Sequence, residues 1–94
     1  MNYAEIKALK LAGQSPDLSQ LDAAIKAQGA IVGAAAIKLA TVTGQHAAEH
    51  DMPFPVDCPA AHEETAKAAE DFDHQGCRLA RLVRWRVLKA QGLR

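Results

Sequence analysis

The stretch His46-Ala47-Ala48-Glu49-His50-Asp51-Met52-Pro53-Phe54-Pro55-Val56-Asp57-Cys58-Pro59-Ala60-Ala61-His62 decides how this chain folds. Pro53 and Pro55 stop any helix that reaches them and stiffen the connection. Pro59 suits the first turn of a new helix, and Glu63 and Glu64 suit its positive N-terminal end. Two helices therefore meet at this turn and run antiparallel.

Upstream, Leu18, Leu21, Ile25, Val32, Ala35, Leu39, Val42 and His46 recur at spacings of three, four or seven, which predicts a helix over about 16–50. Ser15 suits its N-cap, Pro16 its first helical position and Asp17 its positive end. Gly29 and Gly33 each cost roughly 1 kcal/mol relative to alanine in a helix interior. A small-residue groove that admits another helix would offset that cost; the alternative is a break near Gly29.

Downstream, a helix is predicted over about 58–91, closed by Gly92. Its inner stripe reads Ala61, Thr65, Ala68, Phe72, Gly76, Leu79, Val83 and Val87. Cys77, Trp85 and Leu88 form a second apolar line, fit to receive a short N-terminal helix or a second subunit. That short helix spans about 3–11, with Tyr3, Ile6 and Leu9 near one face and Gly13 as its C-terminal cap. No alternating strand pattern competes. The expectation is one all-α domain over 1–94, a long antiparallel helical hairpin with a short N-terminal helix.

A chain of 94 residues buries only about 60–65% of its unfolded surface, and alanine supplies much of its apolar content. The core is thin, so assembly into a helical bundle as a homo-oligomer is expected. Eleven bases balance eleven acids, which removes whole-molecule steering toward nucleic acid or membrane. The charges are segregated along the last helix: Glu63, Glu64, Glu70, Asp71 and Asp73 precede Arg78, Arg81, Arg84, Arg86, Lys89 and Arg94. That order complements a helix macrodipole. Phosphate contacts through Arg78, Arg81, Arg84 and Arg86, with Trp85 among them, are the alternative to ion pairing between subunits or plain solvation.

Cys58 and Cys77 do not form a secreted disulfide framework, and the start lacks the order of a signal peptide. The run Ala30 to Val42 contains Lys38 and is too short to span a bilayer. A cytoplasmic setting without a membrane is the expectation.

Four potential metal ligands flank the turn. His46 and His50 are four apart on one helix, and Cys58 and His62 are four apart on the next. Such pairs share a helix face, and the hairpin brings both pairs to its mouth. Three imidazoles and a thiolate suit zinc or another divalent transition metal. Glu49, Asp51, Asp57 and Glu63 are near enough to orient a ligand. The expectation is a metal site of structural or sensory role. The competing reading has His46 and His62 packed in a polar mouth, with Cys58 an inert thiol and His50 in solvent. It leaves a metal-free oligomeric interaction module, an accessory protein of phage, plasmid or operon type, working through Gly29 and Gly33 or the basic end.

Two short motifs lead nowhere further. His46-x-x-Glu49-His50 resembles the inverzincin metallopeptidase signature, but a hairpin of this size gives no substrate cleft. Cys58-x-x-x-His62 resembles half of the C-x-x-C-x-x-x-H motif of the alkylhydroperoxidase-D and carboxymuconolactone decarboxylase families. Pro55 stands where the first cysteine belongs, so the redox pair is missing. His74 and Cys77, three apart, read as a surface histidine and a half-buried thiol, or as part of a second metal site.

Overall fold

A computed structural model describes residues 1–50 and 59–93. Three helices follow one another: α1 (Tyr3–Leu11), α2 (Leu18–His50) and α3 (Pro59–Ala90). α2 and α3 pack along each other as an antiparallel hairpin, and α1 folds back onto both. The result is a rod of 60 × 19 × 18 Å.

Local chemistry accounts for the helix ends. Asn2 and Glu5 form a reciprocal capping box at the start of α1. The start of α2 differs from expectation. Asp17, not Ser15, is its cap: Asp17 Oδ1 accepts from the Gln20 amide at 2.7 Å, and the Asp17 amide donates to Gln20 Oε1 at 3.0 Å. Gln20 stands at the third helical position and returns this bond, whereas Ser15 has Leu18 there. Ser15 Oγ instead accepts from Lys89 Nζ at 2.9 Å, tying this loop to the end of α3. Gly13 (φ 76°) and Gly92 (φ 78°) close α1 and α3 in the left-handed conformation. The amides of Gln14 and Leu93 donate to the carbonyls of Leu9 and Leu88, and those of Gly13 and Gly92 to the carbonyls of Lys10 and Lys89, the paired bonds of a Schellman cap at each end.

The seam between α2 and α3 keeps a seven-residue repeat. On α2 it runs through Leu21, Ile25, Gln28, Val32, Ala35, Leu39, Val42 and His46, all buried or half-buried. On α3 the covered positions include Thr65, Ala68, Gln75, Leu79, Leu82, Arg86 and Lys89. Spacings alternate between three and four, so the average is 3.5 and the seam stays turned toward the partner helix. Two sequence expectations are corrected by this register. Val83 and Val87 lie outside the seam and are 43% and 46% exposed, while Leu82 is fully buried in their place. The predicted stripe stepped by four too often, and that drift carried it round the helix toward solvent. Gln28 is the second correction. It is polar and absent from the predicted stripe, yet only 2% exposed. Its Nε2 donates to the backbone carbonyl and to Oε1 of Gln75, both at 2.9 Å. A buried, paired amide in the seam fixes the register, because any slip leaves it buried without a partner.

The heavy side chains of the core collect at the α1 end. Tyr3, Ile6, Leu21, Ala24 and Leu82 form one cluster, flanked by Ile25 and Trp85. The second apolar line of α3 therefore receives α1: the Tyr3 and Trp85 rings stack with centroids 6.1 Å apart and 9° between planes. Toward the mouth the seam narrows to Ala35, Val42 and Ala68. α2 is continuous through Gly29, without the break that was the alternative. Its apolar stretch is longer than Ala30–Val42, because Leu18–Ala48 is long and apolar enough to cross a membrane by length and composition.

Leu82→Ala is expected to cost about 2–5 kcal/mol, read from urea unfolding, because it empties the best-packed site. Gln28→Ala is expected to cost about 1–2 kcal/mol by the same measurement, the range for a lost buried hydrogen-bond partner.

Candidate functional site

At the mouth, the last turns of α2 face the first turns of α3, which brings His46 against His62. Their ring centroids lie 4.1 Å apart with planes at 90°, an edge-to-face pair. His46 is half-buried and His62 exposed. His46 Nδ1 stands 3.5 Å from Thr65 Oγ1, at the outer limit of a hydrogen bond. The convergence of these two histidines follows from the antiparallel hairpin. Cys58 and the side chain of His50 lie outside the described residues.

The metal-binding reading is corrected by this geometry. Among the described residues, no group of three or more His, Cys, Asp or Glu side chains comes together to hold an ion. The two imidazoles set the edge of one ring against the face of the other, an aromatic pair with the Thr65 hydroxyl beside it. Glu63 pairs with Lys67 at 3.0 Å along its own helix; Asp51, Asp57 and the side chain of Glu49 lie outside the described residues.

The basic half of α3 is used largely within the chain. Arg86 Nε donates to Asp22 Oδ1 at 3.0 Å within the chain, where pairing between subunits or solvation was the expectation. The Arg81 Nη1 donates to the Tyr3 hydroxyl at 3.1 Å, and this bond raises the Arg81 pKa above its ordinary value. Arg78 sits over the Tyr3 ring at 5.2 Å, and Lys10 over the Trp85 ring at 5.0 Å.

The larger feature is a bare face. α1 covers one side of the hairpin, through Ala24 on α2 and Trp85 on α3. On the other side, the seven-residue register lines up Gly29, Gly33, Ala36, Ala40, Thr43 and Ala47 of α2. Beside them it sets Ala66, Ala69, Asp73, Gly76, Ala80, Val83, Val87 and Ala90 of α3. All of these are exposed or half-buried. A methyl group built on Gly29, Gly33 or Gly76 would meet nothing within 4 Å. Among the described residues, nothing fills the space at these glycines. The sequence stripe had assigned Val83 and Val87 to the core, which hid their membership of this second surface. Its signal was available as a second row of small residues, offset by one position from the seam.

No family model matches the chain, and no curated protein or solved structure matches it either.

A double-mutant cycle on His46→Ala and His62→Ala is expected to give a coupling of about 0.5–1.5 kcal/mol in thermal or urea unfolding, the range for an aromatic pair. Additive effects would mean that the two rings do not touch in solution.

Proposed function

We propose that this protein is a self-associating helical interaction module, and that the first occupant of the bare face is a second copy of the chain. One observation carries the reading: α2 is apolar around most of its circumference, yet beyond the α1 end it is paired, among the described residues, with α3 alone. Between Lys26 and Glu49 its only charged residue is Lys38. Ile37 is 70% exposed and Ile31 45%. A helix apolar all round calls for cover on more than one side. Lipid is poor cover for the paired helices, because α3 brings Glu63 to Asp73 and Arg78 to Lys89 along the same length, and each charge at a bilayer centre costs about 2.5–3.5 kcal/mol or more.

The dimensions suit a protein partner. The rod is 19 Å wide, and the α3 side of the face, from Ala66 to Ala90, is about 36 Å long at 1.5 Å per residue. The product is roughly 700 Å² per protomer, close to the roughly 800 Å² per partner of a stable interface. Small side chains and glycines let two such faces approach closely. Two hairpins stacked this way form a four-helix bundle. A two-fold axis would place the Asp73 of each copy within reach of Lys26 of the other, since the Gln28–Gln75 layer sets these residues within about one turn of the same level.

Light scattering is expected to give twice the chain mass, with a melting temperature that rises with protein concentration. Val83→Glu and Ala40→Glu, each placing a carboxylate in the face, are expected to yield monomers of lower stability. Arg84→Glu, on the far side of α3, is expected to leave the dimer intact. A dimer broken by Ile37→Glu and untouched by Val83→Glu would move the interface to the outer edge of α2 and overturn this assignment.

A further inference from the structure

Where α1 crosses α3, six side chains line a cavity of about 120 Å³: Tyr3 and Lys7 from α1, and His74, Cys77, Arg78 and Arg81 from α3. Residues 3 and 7, and residues 74, 78 and 81, share helix faces by their spacing. Three permanent cations therefore converge on one small concavity, and no carboxylate lines it. Among the described residues, the ion pairs are Lys67–Glu63 and Arg86–Asp22, so Lys7, Arg78 and Arg81 carry no acid partner there.

These arginines are held in place. Tyr3 is 6% exposed, and its ring is fixed by stacking on Trp85. Arg81 donates to the Tyr3 hydroxyl at 3.1 Å and Arg78 lies over the same ring at 5.2 Å. A buried tyrosine thus anchors two guanidinium groups at the rim of one cavity. Each retains donors suited to planar or tetrahedral oxyanions. Like charges brought this close repel, and a bound anion relieves that repulsion. The same positive surroundings oppose a metal ion at His74 and Cys77, the second metal site that their spacing had raised.

We propose that this cavity binds a phosphate group of a small phosphorylated ligand, held by Arg78 and Arg81 with Lys7 completing the charge. A volume of about 120 Å³ is too small for a whole drug-sized ligand, whose sites run about 300–1,000 Å³, so one anionic group enters and the remainder lies outside. Three cations match a dianion better than a single carboxylate. The cavity lies on the α1 side of the hairpin, away from the bare face, and stays open whether or not the chain dimerises.

Cys77 at the wall provides the readout. Intact protein is treated with iodoacetamide, which is neutral, and alkylation of Cys77 is followed by mass spectrometry of its peptide, with Cys58 as the internal reference thiol. Millimolar inorganic phosphate is expected to slow alkylation of Cys77 several-fold and saturably, relative to sodium chloride at equal ionic strength, and to leave the Cys58 rate unchanged. Lys7→Gln and Arg78→Gln spare the Tyr3–Arg81 bond. Each is expected to raise the phosphate concentration for half-protection by about tenfold, the loss of one charge-assisted contact. Circular dichroism verifies that both variants are folded. Equal rates in phosphate and chloride would overturn the proposal, as would full protection retained in both variants. Protection by acetate as strong as by phosphate would overturn the assignment to a phosphate group.

Discussion

Everything in this rod hangs on the seam between α2 and α3 and on its period of 3.5 residues. Because the period is constant, the same pair of helix faces stays in contact from Leu21 to His46 on one side and from Thr65 to Lys89 on the other. Hydrophobicity alone leaves such a seam free to slip, since alanine and valine fit many neighbours. The Gln28–Gln75 amide pair removes that freedom near the middle. The seam also decides by exclusion what the rest of the surface is for. Once Leu82 faces inward, Val83 and Val87 must face out, and the small residues in line with them form a surface with no partner among the described residues.

The core is unevenly distributed along the rod. Ile6, Leu21 and Leu82 are fully buried where α1 docks, whereas farther on the buried seam residues are Ala35, Val42 and Ala68, with Val32 and Leu39 half-buried. Burying a large aliphatic side chain contributes about 1.5–3 kcal/mol, and an alanine contributes far less. Cooperative stability is therefore concentrated at the α1 end, and that end also carries the aromatic stack and the cation-lined cavity. The mouth is held by less, and the His46–His62 pair adds ring contact where aliphatic burial is small. An added layer along the bare face would extend cover to the part of α2 that is thinnest.

Much of the architecture was legible in residue order. Pro53, Pro55 and Pro59 announced the turn, and Gly13 and Gly92 the caps, because each acts through its own backbone geometry. The meeting of His46 with His62 came from helix periodicity and antiparallel sense. The cap of α2 was misplaced by two residues, because serine and aspartate are equally good caps and only the return bond from Gln20 separates them. Gln28 went unseen because a hydrophobic stripe is sought among apolar residues. Its burial depends on a partner 47 positions away. The metal reading treated proximity as coordination, and proximity in sequence fixes neither how rings turn nor how many donors point at one place.

The sequence by itself determined what is local: which segments are helical, where they stop, and that they double back, since backbone stops and short-range periodicity act within a few residues. The tertiary structure alone decided which of two adjacent rows on α3 faced inward, that Gln28 meets Gln75, and that Lys7 joins Arg78 and Arg81 around Tyr3. Each of these depends on the rotation and level of one helix against another. Those are settled by the packing of all seam side chains together, and no single stretch of the chain encodes them.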